Sequence, residues 1–155
     1  MRFTKLNILT FTIILSVSSC KTKNTNIEFT IMNPFGCIHK FQIIDNKNVL
    51  LSVSGLEYNT STNEEMEYII KTSEFNILNK ENIYEIEKIA ELLKNSKLIE
   101  SGKPKDAFNY IIFLNKEMKL NTFSTKSMIP IKLRDIMISE MPFKIDYYCE
   151  SYIDG

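Results

Sequence analysis

The apolar and polar positions divide the chain into stretches of different period. Leu6 to Val17 is an apolar run of about a dozen residues, broken by Asn7, Thr10 and Thr12. From Ile27 the period becomes two: Ile27, Phe29 and Ile31 alternate with Glu28 and Thr30, as in a half-buried strand. Asn33-Pro34-Phe35-Gly36 has turn chemistry. A second strand is predicted from His39 to Asp45, with Phe41, Ile43 and Ile44, ending at the loop-like run Asp45-Asn46-Lys47-Asn48. Val49 to Ser54 then completes a hairpin. Gly55 to Asn63 reads as a longer loop. Met66 to Ile77, rich in β-branched and aromatic residues, reads as one long strand or two.

The period then changes to that of a helix. Ile83, Ile86, Ile89, Ala90 and Leu93 recur at helical spacing, which predicts a helix from about Lys80 to Ser96 with Asn79 as its N-cap. Glu81 and Glu85 sit early and Lys94 and Lys97 late, as the helix dipole prefers. Gly102 and Pro104 mark a loop. Asn109–Leu114 and Met118–Phe123 flank Asn115-Lys116-Glu117 as a second hairpin. A further helix is led by Pro130, carries Leu133, Ile136 and Met137 on one face, and stops at Pro142. In the tail Phe143, Ile145, Tyr147 and Cys149 alternate, predicting a final strand. The expected fold is α+β: an antiparallel sheet with two helices packed on one face.

The first 20 residues carry a different message. Arg2 and Lys5 precede the apolar run, and small residues end it, the order of a secretory signal peptide. Val17-Ser18-Ser19-Cys20 resembles the bacterial lipobox, in which the cysteine is acylated and becomes the new N-terminus. The run is too short for a spanning helix, which needs roughly 20 apolar residues. The resemblance implies a signal peptide at 1–19 and lipidation at Cys20; the polar run that follows reads as a flexible tether at 20–26, and the rest as one α+β domain at 27–155. A diacylated cysteine holds a chain at a bilayer, since each buried methylene contributes about 0.8 kcal/mol. Asp is absent just after Cys20, and the next residues are basic rather than acidic. By resemblance to known sorting rules, this implies the outer membrane, facing the periplasm.

Cleavage before Cys20 changes the charge. Losing Arg2 and Lys5 from a chain with 19 basic and 19 acidic residues leaves a net charge of −2. With no basic stripe either, nucleic acid is not an expected partner. Cleavage also sets the cysteine count. With Cys20 lipidated, Cys37 and Cys149 remain, an even number in an oxidising compartment. A structural Cys37–Cys149 disulfide ranks above two free thiols. Both rank above a redox-active pair, which ordinarily has close Cys-x-x-Cys spacing.

Candidate chemistry is sparse. His39 is the one histidine, and Cys37 lies two residues away, on the same face of a strand. A Cys/His nucleophile pair is the enzymatic reading of that spacing; a bonded Cys37 beside a histidine is the structural one. One histidine and two distant cysteines fall short of a zinc site. Glu64, Glu65 and Glu67 do not match a calcium loop and read as a solvated loop. Four glycines leave no phosphate-cradling motif, so no metal or cofactor is expected. Glu81, Glu85, Glu87 and Glu91 read as the wet face of the first helix. The aromatic tail, Phe143, Tyr147, Tyr148 and Tyr152, is a candidate protein interface, because tyrosine is rigid and amphipathic.

A layout-level resemblance covers most of the region after Cys20. The turn at Gly36-Cys37, a mid-chain helix, Asp106-Ala107 before a strand, a hairpin and a Pro-led helix are similar to a group of uncharacterised secreted bacterial domains. That group often has proline soon after the cysteine, where this chain has Ile38-His39. It implies no activity. The expectation is a non-enzymatic envelope lipoprotein that binds a partner, in the manner of an inhibitor or immunity protein. The alternatives are an accessory subunit of an envelope assembly, docked by the tail, and a small hydrolase using His39.

Overall fold

A computed structural model describes residues 25–59, 61–100, 107–123, 127–144, 146 and 149. The elements are β1 (Asn26–Met32), β2 (Cys37–Ile44), β3 (Asn48–Asn59), β4 (Glu64–Asn76), α1 (Lys80–Asn95), β5 (Ile99–Glu100), β6 (Asn109–Leu114), β7 (Glu117–Thr122) and α2 (Met128–Glu140). The strands form one sheet in the order β4-β3-β2-β1-β6-β7-β5. Two helices and this sheet make an α+β fold. The sheet is mixed rather than antiparallel, because β5 pairs with β7 in parallel through Ile99–Leu120 and Glu100–Asn121. Two residues are too few to carry a hydrophobic period, so β5 leaves no trace in the sequence.

β1 sits at the centre. Its Ile27, Phe29 and Ile31 face Ile43, Phe41 and His39 on β2, and Leu114, Ile112 and Tyr110 on β6. The Phe29 ring stacks 6.0 Å from Phe41 and 6.4 Å from Tyr110. Apart from His39, these side chains share one buried core with Ile86, Ile89, Ala90 and Leu93 of α1 and Leu133, Ile136 and Met137 of α2. Full burial of such a side chain contributes about 1.5–3 kcal/mol.

Local chemistry sets the element ends. Asn33 Oδ1 accepts from the backbone N–H of Phe35 at 2.9 Å and of Cys37 at 2.8 Å, closing the first turn. Gly36 turns there at φ 89°, a conformation that favours glycine. Asp45 and Asn46 adopt positive φ between β2 and β3, and Asn115 and Lys116 do so between β6 and β7. That is the twist-matched geometry of tight hairpins. Asn79 caps α1 as expected, its Oδ1 accepting from Glu81 N–H at 2.8 Å. Glu140, ending α2, accepts from Leu78 N–H at 2.9 Å, Asn79 N–H at 3.2 Å and Asn82 Nδ2 at 2.6 Å. One carboxylate thus ties the end of α2 to the start of α1. Loss of water around it would raise its pKa. These three donors outweigh that effect and hold it below the ordinary value.

Three expectations are corrected. Gly55 to Asn59 is strand, not loop: β3 runs on to Asn59, and the described turn residues are Ser61–Asn63. Gly55 reads as a breaker. In the sheet it faces Tyr68, whose ring lies where a Gly55 Cβ would sit, 2.7 Å from that position. The absent side chain makes room for an aromatic across the pair. Glu64, Glu65 and Glu67 accordingly lie on β4 rather than in a loop. Of the predicted tail strand, Ile145 and Tyr147 lie outside the described residues, and neither Phe143 nor Cys149 is in a strand. Cys149 has φ 63°, and its N–H donates to the Asp146 carbonyl at 3.3 Å, which is a turn. β1 also begins at Asn26, one residue earlier than predicted, where its N–H donates to Asn115 Oδ1 at 3.0 Å.

Candidate functional site

Two places combine unusual residues with unusual position. The first is the corner where β2 begins. Cys37 and His39 point to the same side of β2, and both are buried. Cys37 is disulfide-bonded to Cys149 across 112 residues, with Cα atoms 5.8 Å apart. The bond holds Cys149 beside β3, its sulfur 3.8 Å from the Ser54 carbonyl oxygen. Closing a loop this long contributes about 4–5 kcal/mol in chain-entropy terms.

His39 is 1% exposed. Burial lowers its pKa to about 4, against the opposing pull of the Asp146 backbone and carboxylate. The imidazole is therefore neutral near pH 7. Its Nδ1 is 3.9 Å from Cys37 Sγ, but that sulfur is bonded to Cys149, so the pair lacks the thiol that a nucleophile needs. Ser54 is close in the sheet but on the other face: it lies opposite Ile38, whereas His39 lies opposite Val53. The corner has the chemistry of a structural anchor.

The second place is the β3–β4 hairpin. β2 pairs with β3 only as far as Cys37–Gly55, and the last bond between them runs from Leu56 N–H to the Gly36 carbonyl at 3.0 Å. β3 and β4 continue beyond it, paired with each other through Glu57–Met66, Tyr58–Glu65 and Asn59–Glu64. The result is a two-stranded arm, and every residue from Ser61 to Ile69 is exposed. Met66 is 55% exposed and Ile69 is 69% exposed. Glu57, Glu64, Glu65 and Glu67 make the arm acidic. At its base Glu67 accepts from the Ser54 hydroxyl. Exposed apolar side chains on a projecting ribbon are a frequent mark of an interaction surface. The sequence carried part of this signal in the β-branched and aromatic content after Met66. It hid the rest behind Gly55.

Of the tail interface residues, Phe143 is half-buried, with the Lys71 ammonium 4.1 Å from its ring centroid. Tyr147, Tyr148 and Tyr152 lie outside the described residues, as do Asp106, Cys20 and the whole lipobox. Between the helices Lys132 meets Glu85 at 3.0 Å, beside Asn82 and Ser139. Among the described residues no group of three His, Cys, Asp or Glu gathers as a metal site would need, and no helix is long and apolar enough to cross a membrane. Comparison with protein-family models, curated proteins and solved structures returned no match.

Proposed function

We propose that this chain is a lipid-anchored envelope protein that acts by binding a protein partner, as an inhibitor or immunity protein does, and not by catalysis. The observation that carries this reading is the exposed end of the β3–β4 hairpin, with Met66 on the two-stranded arm and Tyr68 and Ile69 exposed at its base. A stapled, well-packed body that holds out a ribbon suits binding, because a rigid support lowers the ordering cost of association. The lipobox-like Val17-Ser18-Ser19-Cys20 supports acylation at Cys20 and attachment to the outer membrane, facing the periplasm. We also infer that α1 and α2 lie over the same sheet face. Their buried residues share one core with alternate residues of β1, β2 and β6, which supports that arrangement.

The test compares the native chain with two variants. In one, residues 57–66 are replaced by a two-residue Asn-Gly turn. In the other, Cys20 becomes Ser. The arm variant should keep its disulfide and its thermal transition but lose a partner recovered with the native chain. Cys20→Ser should move the protein from the membrane to the soluble fraction. Recovery of the same partner without the arm would overturn the binding assignment, and unchanged membrane attachment of Cys20→Ser would overturn the anchor.

A further inference from the structure

The arm is also the start of a sheet edge. Among the described residues β4 is the outermost strand, next in the sheet order to β3. It is 13 residues long, against 8 for β2. Sheet edges of that length invite pairing with another chain, and proteins commonly block them with proline, lysine or short strands. β4 has no proline and one lysine, Lys71. At the opposite edge β5 is two residues long, too short to template a partner.

Charge and alternation define what would fit. Glu65, Glu67 and Ile69 lie opposite Tyr58, Leu56 and Ser54, on one face of β4. Glu64, Met66 and Tyr68 occupy the other. Glu64, Glu65, Glu67 and Glu74 against Lys71 leave β4 strongly acidic, so two copies of this edge repel one another. A strand bearing lysine or arginine at alternate positions is attracted instead to the face of Glu65 and Glu67, with apolar residues between them to cover Met66 and Tyr68 on the other face. Building on the binding role proposed above, we infer that β4 accepts an extended, basic segment of the partner as an added strand. Main-chain hydrogen bonds would supply the affinity and the glutamates the choice of partner.

The experiment uses the full chain in detergent micelles and two synthetic probes: a peptide of alternating lysine and valine, and its counterpart with glutamate for lysine. Calorimetry at low and high salt measures affinity, and hydrogen exchange locates the protected amides. The inference expects the lysine peptide alone to bind, more weakly at high salt, with protection gained along β4. Glu65→Lys with Glu74→Lys should weaken it by about tenfold or more, and Glu65→Gln with Glu74→Gln by less. These positions are exposed and outside the core, so the variants keep the fold under test. Equal binding of both peptides, no binding, protection confined to other strands, or β4 protection from self-association without peptide would each overturn the inference. If arm-dependent partner capture persists alongside any of these results, the binding role stands and only the basic-strand reading falls.

Discussion

Neutral, buried His39 makes the stability of this protein pH-dependent in a defined window. In the unfolded chain the imidazole titrates near 6.5, and in the folded chain burial lowers that to about 4. Below 6.5 the unfolded state takes up a proton that the folded state refuses. Folding stability is therefore complete above about pH 6.5, falls as pH drops through the window, and levels off near 4. At about 1.4 kcal/mol per unit, a shift from 6.5 to about 4 corresponds to a loss of roughly 3 kcal/mol. Carboxylates add their own slope at the acid end, so the informative quantity is a difference. Urea unfolding of the native chain and of His39→Leu, at half-unit steps from pH 7.5 to 4.5, isolates it. The native curve should lose about 2.5 kcal/mol more than the variant across that range, most of the full effect. Parallel curves would refute the reasoning and show that the imidazole titrates alike in the folded and unfolded chain.

Other consequences follow from single contacts. Ile86→Asp puts a charge where α1 meets the core, and should abolish the cooperative thermal transition seen by circular dichroism. Glu140→Ala removes the acceptor for Leu78, Asn79 and Asn82 and should cost about 1–2 kcal/mol in denaturant titration. The native chain should lose that contribution as pH falls below the ordinary glutamate value, because the folded carboxylate is the more acidic one. Cys149→Ser should lower stability by about 4–5 kcal/mol, and reduction of the native protein should reproduce the change. Gly55→Ala should displace the Tyr68 ring, read as increased iodination or nitration of that tyrosine with the fold retained.

What the sequence disclosed follows the range of the forces involved. α1 was legible in both ends and in its buried stripe, because a cap at Asn79 and a 3.6 period are local properties. The hairpins were legible because Asp45, Asn46 and Asn115 are residue types that tolerate positive φ. Pairing of Cys37 with Cys149 was accessible through parity once Cys20 was set aside. Less local features stayed hidden. That β1 sits between β2 and β6 depends on side-chain fit across more than eighty residues of chain, as in Phe29 opposite Ile112. The arm was obscured because Gly55 signals a break, and only the distant Tyr68 ring turns that glycine into a strand residue. The role of Glu140 was equally invisible, since its partners lie some sixty residues away. The histidine and cysteine at the β2 start were found by residue type. Their state, one neutral and one bonded, required the fold.

The exposed end of the β3–β4 hairpin, from the arm to Ile69 at its base, is the surface proposed to meet a partner. A photoreactive amino acid placed at Ile69, and separately at Leu92 on the exposed face of α1, tests this by irradiation in intact cells. The account predicts a discrete cross-linked product from position 69 and none from position 92. The same product from both positions, or from position 92 alone, would contradict it.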